Sequence, residues 1–184
     1  RCNLRCSYCM PPEGLDWLPT EETLTDDEVV RLVRVGVERL GIRQVRFTGG
    51  EPLLRRGLEG IIEACSHLRT DEGNPLDLAL TTNALGLAKR AQGLKDAGLN
   101  RVNISLDSLD PEHFAAITRR DRLGDVLEGI EAAARAGLSP IKVNALVLRG
   151  MNEADLPDLV DYCLDRGIEL RVIEQMPIGP PDTW

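Results

Sequence analysis

Apolar positions along the chain follow two alternating rhythms. Between Val29 and Leu40, the residues Val29, Leu32, Val33, Val37 and Leu40 recur at the spacing of a helix turn. Thr25 and Glu28 form a capping-box pattern at its start, and Gly41 supplies a stop. Residues 44–48 then switch to period two, with Val45 and Phe47 set against Gln44, Arg46 and Thr48, the pattern of a strand. The same unit recurs. A helix over 58–68 precedes a strand over 76–82, and a helix over 87–97, closed by Gly98, precedes a strand over 101–107. Asp110-Pro111 opens a short helix by N-cap and N1-proline logic. A helix over 123–136, closed by Gly137, leads to a strand over 141–148. Asn152 is expected to cap a helix ending at Gly167, before a last strand over 170–175. Residues 11–23, broken by Pro11, Pro12, Gly14 and Pro19, read as irregular. Repeated helix–strand alternation predicts an α/β fold with a parallel sheet and helices outside it.

Strand parity refines this picture. A strand covered on both faces should read as a nearly continuous apolar run. Here Ile141, Val143, Ala145 and Val147 alternate with Lys142 and Asn144, and Val102, Ile104 and Leu106 alternate with Asn103, Ser105 and Asp107. Leu78 and Leu80 are likewise set against Ala79, Thr81 and Asn83. One face packs on helices and the other is polar. Polar groups sealed in a closed barrel without partners would cost about 1–3 kcal/mol each. The pattern therefore predicts a wide or incomplete barrel whose inner face holds polar ligands. In the last strand Ile173 shares the parity of Arg171 and breaks the rule.

Composition adds limits. The 184 residues fit one domain, and a net charge of −8 opposes a general nucleic-acid surface. No run approaches the roughly 18 apolar residues of a membrane span, so neither nucleic acid nor membrane is an expected partner. Cysteine usage points to a reducing cytoplasm rather than a disulfide scaffold.

Chemistry concentrates in two stretches. Cys2, Cys6 and Cys9 stand at C-x3-C-x2-C, a set of soft ligands within one short loop. A [4Fe–4S] cluster usually takes four cysteines, so three would leave one iron open to a small molecule. A zinc knuckle or structural cysteines are the other readings of the spacing. Thr48-Gly49-Gly50-Glu51-Pro52 sits where a strand meets its following loop, the end at which parallel α/β folds place their sites. Its glycines admit a close backbone approach, and Glu51 is expected to accept from an ammonium. Cys65 and Cys163 fall on apolar helix faces as small core residues. His67 and His113 read as capping or exposed, and Trp17 and Trp184 carry no assignment.

The cysteine spacing, Tyr8 and the Gly-Gly-Glu-Pro loop resemble the radical S-adenosylmethionine (SAM) superfamily. R-F-T-G-G-E-P, L-T-T-N, N-I-S-L-D, K-V-N and R-V-I-E-Q-M-P-I-G narrow the resemblance to the GTP 3′,8-cyclase family of molybdenum cofactor biosynthesis. The resemblance implies a partial (β/α)6-type radical SAM barrel lacking its first strand, with an exposed sheet edge. Residues 1–184 would be the core domain, without the family's C-terminal segment for a second [4Fe–4S] cluster. It further implies Cys2, Cys6 and Cys9 on a first [4Fe–4S] cluster, Tyr8, Gly50, Ser105 and Met176 on SAM, and Arg46, Thr81 and Lys142 on GTP. A 5′-deoxyadenosyl radical would convert GTP to 3′,8-cyclo-7,8-dihydro-GTP, and no residue need act as acid or base. A low-potential electron donor, a downstream enzyme forming a cyclic pyranopterin and a homodimer are the implied partners. The alternatives are a radical SAM enzyme acting on a peptide or nucleoside, and a non-catalytic iron–sulfur or zinc protein.

Overall fold

A computed structural model of the chain describes residues 1–176. Five parallel strands, β1 (Gln44–Phe47), β2 (Asp77–Thr82), β3 (Arg101–Ser105), β4 (Ile141–Leu146) and β5 (Glu169–Ile173), lie side by side in chain order. Between them run α1 (Asp26–Leu40), α2 (Leu58–Ser66), α3 (Leu87–Asp96), α4 (Pro111–Thr118), α5 (Leu123–Arg135) and α6 (Leu156–Asp165). Parallel neighbours in sequence order require each crossover to return along the same side of the sheet. The helices therefore form one outer layer, and the other sheet face is left for function.

The local signals explain the element ends. Thr25 and Glu28 close the capping box on α1, and Gly41 ends the helix in the left-handed conformation at φ 66°. Asp110 accepts from the backbone N–H groups of Glu112 and His113 at the start of α4. The outer face of the sheet, Leu78, Leu80, Val102, Ile104 and Val143, is sealed from solvent. It packs in one core with Ile61, Ile62, Leu87, Leu94, Ile130 and Leu159 of the helices. Cys65 and Cys163 belong to that core.

Three expectations change. Asn152 does not cap a helix through its side chain. It is buried, donates to the carbonyls of Asp107 and Leu146, and accepts from the Leu148 N–H, so α6 starts only at Leu156 after a short 3-10 turn. The strands over 101–107 and 141–148 stop early, because the Leu146 N–H donates to the Asp107 carboxylate instead of to the β3 backbone. Ile173 pairs in register with Leu146, another apolar residue on the inner parity. The inner face is therefore polar toward its floor and apolar at the β4–β5 strand ends. Residues 177–184, including the last part of R-V-I-E-Q-M-P-I-G and Trp184, lie outside the described residues. No helix among the described residues is long and apolar enough to cross a membrane.

Candidate active site

The cysteine loop is built by backbone bonds. Cys9 and Met10 both donate to the Cys6 carbonyl, forming a tight turn that carries Cys6 and Cys9. Arg5 and Ser7 donate to the carbonyls of Thr118 and Ile117, docking the loop on the C-terminal end of α4. Arg119, in the left-handed conformation at φ 55°, reaches back and donates to the carbonyls of Arg5 (2.9 Å) and Met10 (3.1 Å). All three cysteines are free thiols, with Cys2 and Cys6 half-buried and Cys9 exposed. Burial, reinforced by the Asp107 carboxylate, pushes the Cys6 thiol up to about 12, and burial also raises Cys9. A metal centre would have to offset that burial by binding the thiolates. Among the described residues no three His, Cys, Asp or Glu side chains close around a single ion. A cubane, which takes one sulfur per iron corner, suits this donor set better than a zinc ion, which draws its ligands into one tetrahedral shell.

The Gly-Gly-Glu-Pro loop lies directly against this segment. The Glu51 N–H donates to the Arg1 carbonyl at 2.7 Å. A Cβ on Gly50 would stand 2.0 Å from that same oxygen, so the contact exists only because position 50 is glycine. Glu51 itself does not point to a ligand ammonium. It is buried, and its carboxylate accepts from the Leu53 N–H, the Thr82 hydroxyl and the Asn83 N–H at 2.7–2.9 Å. Burial raises its pKa, against the lowering by these donors. Asn83 extends the brace to the Asn3 side chain, and its amide stands 3.9 Å from the Cys2 sulfur.

Tyr8, Ser105, Asp107, Asn144, Leu146, Ile173, Glu174, Gln175 and Met176 line one cavity of about 190 Å³. The Tyr8 hydroxyl donates to Asp107 at 2.8 Å, while the Leu146 N–H donates to the other carboxylate oxygen. Burial holds Asp107 above the usual carboxylate range despite both donors. Of the four residues expected on SAM, Tyr8, Ser105 and Met176 meet here, whereas Gly50 lies against Arg1.

Below the cavity, one row of register partners crosses the inner face. Thr81 lies opposite Asn103, Asn103 opposite Lys142, and Lys142 opposite Glu169. Lys142 pairs with Glu169 at 2.7 Å, and Glu169 also accepts from Arg171 at 2.7 Å. Asn103 is 1 % exposed, and its Oδ1 has no hydrogen-bond partner. Arg46 lies toward the β1 edge, opposite Ala79, and is exposed. The row thus joins Thr81 and Lys142, with Arg46 standing apart.

Parity on β3 and β4 already pointed to Asp107 and Asn144, which share the faces of Ser105 and Lys142, although neither was expected to line the site. Nothing in the sequence marked Arg119 or Glu169, whose partners are remote or on another strand. His67 is exposed, as expected. His113 is neither a cap nor free, since its Nδ1 stands 2.8 Å from Asp155, which also accepts from Ser108.

The Radical SAM superfamily model matches residues 1–163. A GTP 3′,8-cyclase of Corynebacterium glutamicum is 62 % identical over all of this chain and 49 % of its own length. A GTP 3′,8-cyclase of Mycobacterium sp. (strain KMS) is 58 % identical over all of this chain and 51 % of its own length. The chain thus spans about half the length of the curated relatives it matches. Among solved structures, SuiB of Streptococcus suis bound to S-adenosylmethionine shares the fold, with a TM-score of 0.74 and 21 % identity. That likeness covers 96 % of this chain and 37 % of SuiB.

Proposed function

This chain belongs to the radical SAM superfamily, and from that premise we propose that residues 1–184 form the radical-generating core of a GTP 3′,8-cyclase of molybdenum cofactor biosynthesis. The observation that carries the reading is the meeting of Tyr8, next to the cysteine turn, with Ser105 and Met176 in one cavity above a polar floor. Relatives 55–62 % identical over the whole chain are GTP 3′,8-cyclases, which supports the choice of substrate.

Cys2, Cys6 and Cys9 would hold a [4Fe–4S] cluster. Tyr8, Gly50, Ser105 and Met176 would contact SAM. Arg46, Thr81 and Lys142 would contact GTP. When bound, the reduced cluster and SAM supply a 5′-deoxyadenosyl radical, the agent that takes the 3′-hydrogen of GTP so that C3′ can bond to C8.

The protein's own work is to bind, orient and shield. Asp107 fixes the Tyr8 ring beside the cavity through its hydroxyl. Leu146, Ile173 and Met176 give the cavity an apolar side, and Ile173 and Met176 are exposed there as a surface for a bound ligand to cover. Lys142 and Arg46 offer cationic donors to a triphosphate, the stronger kind of hydrogen bond. None of these residues acts as a general acid or base. The same reading implies a cytoplasmic protein with a low-potential electron donor and a downstream enzyme that makes a cyclic pyranopterin. It also implies a second [4Fe–4S] cluster held by cysteines outside this chain.

The test is anaerobic. The protein is reconstituted with iron and sulfide, reduced and given SAM, and 5′-deoxyadenosine is quantified with and without GTP. Cleavage that GTP stimulates, and that is lost on replacing Cys2, Cys6 or Cys9 by Ala, supports the assignment. Cleavage stimulated by a peptide and indifferent to GTP would move the protein to another branch of the superfamily.

A further inference from the structure

Two cations of the inner face converge on one carboxylate. Glu169 Oε2 stands 2.7 Å from Lys142 Nζ, and Glu169 Oε1 accepts from Arg171 Nε at 2.7 Å. The Lys142 side chain is 15 % exposed, while those of Glu169 and Arg171 are 48 % and 41 % exposed. The pairing is thus a covered ammonium and a surface guanidinium, bridged by an acid at the mouth of the row. Among the described residues neither cation has another acidic partner.

Beside Lys142 stands an acceptor that nothing meets. Asn103 is its register partner on β3, and the buried Asn103 Oδ1 has no donor. An unmet buried acceptor costs on the order of 1–3 kcal/mol, yet a three-donor ammonium on the adjacent strand is directed to Glu169 instead. The floor therefore satisfies its acid and leaves its amide unmet.

We propose that Glu169 is an internal counter-anion: its carboxylate occupies the seat between Lys142 and Arg171 that a phosphate of the nucleotide takes, and it is expelled when the nucleotide binds. The proposal rests on the nucleotide reading above and adds a competitor to it. Expulsion frees the Lys142 ammonium to donate at once to phosphate and to Asn103 Oδ1, meeting the unpaired acceptor. Glu169 then works by charge alone. It keeps two like charges from repelling each other while no nucleotide is present, and it sets a threshold that only a strong anion clears. A monophosphate, with less charge, should clear it poorly.

The experiment measures equilibrium binding of GTP, GMP, guanosine and inorganic tripolyphosphate to the cluster-reconstituted protein. It compares wild type, Glu169→Gln and Asn103→Leu. Glu169→Gln is expected to bind GTP and tripolyphosphate on the order of tenfold more tightly, to leave guanosine unchanged and to narrow the gap between GTP and GMP. Asn103→Leu is expected to weaken GTP about tenfold without lowering the melting temperature of the nucleotide-free protein, since the amide it removes was unsatisfied there. Weaker or unchanged GTP binding by Glu169→Gln would overturn the proposal and make the carboxylate a scaffold for Lys142. A fall in melting temperature with Asn103→Leu would likewise overturn it, by showing that the amide already has a partner. If wild type binds neither GTP nor tripolyphosphate, the nucleotide reading itself fails, an outcome distinct from both.

Discussion

At the scale of single residues, the site depends on contacts that tolerate no substitution. Gly50→Ala places a methyl 2.0 Å from the Arg1 carbonyl oxygen and 2.5 Å from its carbon. Backbone on both sides cannot yield cheaply, so a cost of about 1–3 kcal/mol is expected. Iron quantification after anaerobic reconstitution should show reduced loading, together with a lower melting temperature. Tyr8→Phe removes the 2.8 Å donor from a buried Asp107. It should destabilise the protein by about 1–3 kcal/mol and weaken SAM binding, readable by calorimetry and by denaturation. The sequence made Gly50 and Tyr8 legible because both sit in dense local motifs. It misread Glu51, which looked available to a ligand. Two of the donors that occupy its carboxylate, Thr82 and Asn83, arrive from the end of β2, and spacing along the chain holds no information about such meetings.

At the scale of elements, helix boundaries written in local chemistry were readable, and those set by remote contacts were not. The Thr25–Glu28 box and the Asp110 cap are bonds within four residues. Asn152 instead spends its amide on Asp107 and Leu146, so a residue that looked like a cap ties two strand ends together. Replacing Asn152 by Ala should cost about 1–3 kcal/mol through the acceptors left unmet, as measured by urea denaturation. The His113–Asp155 pair joins α4 to the turn before α6. The hydrogen bond that the imidazolium donates to Asp155 raises the His113 pKa above its ordinary value, against a lowering by desolvation and with further help from the charges of Asp155, Asp110 and Glu112. A pKa raised by folding stabilises most below the unfolded value, and the contribution is lost as pH rises through the folded value. The melting-temperature difference between wild type and His113→Gln should therefore be larger at pH 5.5 than at pH 8.5 (about one unit below and two above an ordinary histidine). An equal difference at both would make the contact indifferent to protonation.

For the whole molecule, period-two parity told which face of each strand meets helices, and the polar floor followed. Parity flagged Ile173 as an exception but did not explain it, because its apolar partner, Leu146, is set by register between β4 and β5 rather than by position within β5. Strand order follows chain order, so β1 and β5 are the two sheet edges among the described residues. Hydrogen exchange should accordingly be slowest in β2, β3 and β4, whose amides and carbonyls have neighbours on both sides, and fastest at the edges. The docking of the cysteine loop has a consequence for repair. Arg5, Ser7 and Arg119 hold the loop on α4 by bonds that involve no sulfur. Oxygen damage that strips the iron would leave this cradle standing, so the protein would be refilled by a cluster donor without first being refolded.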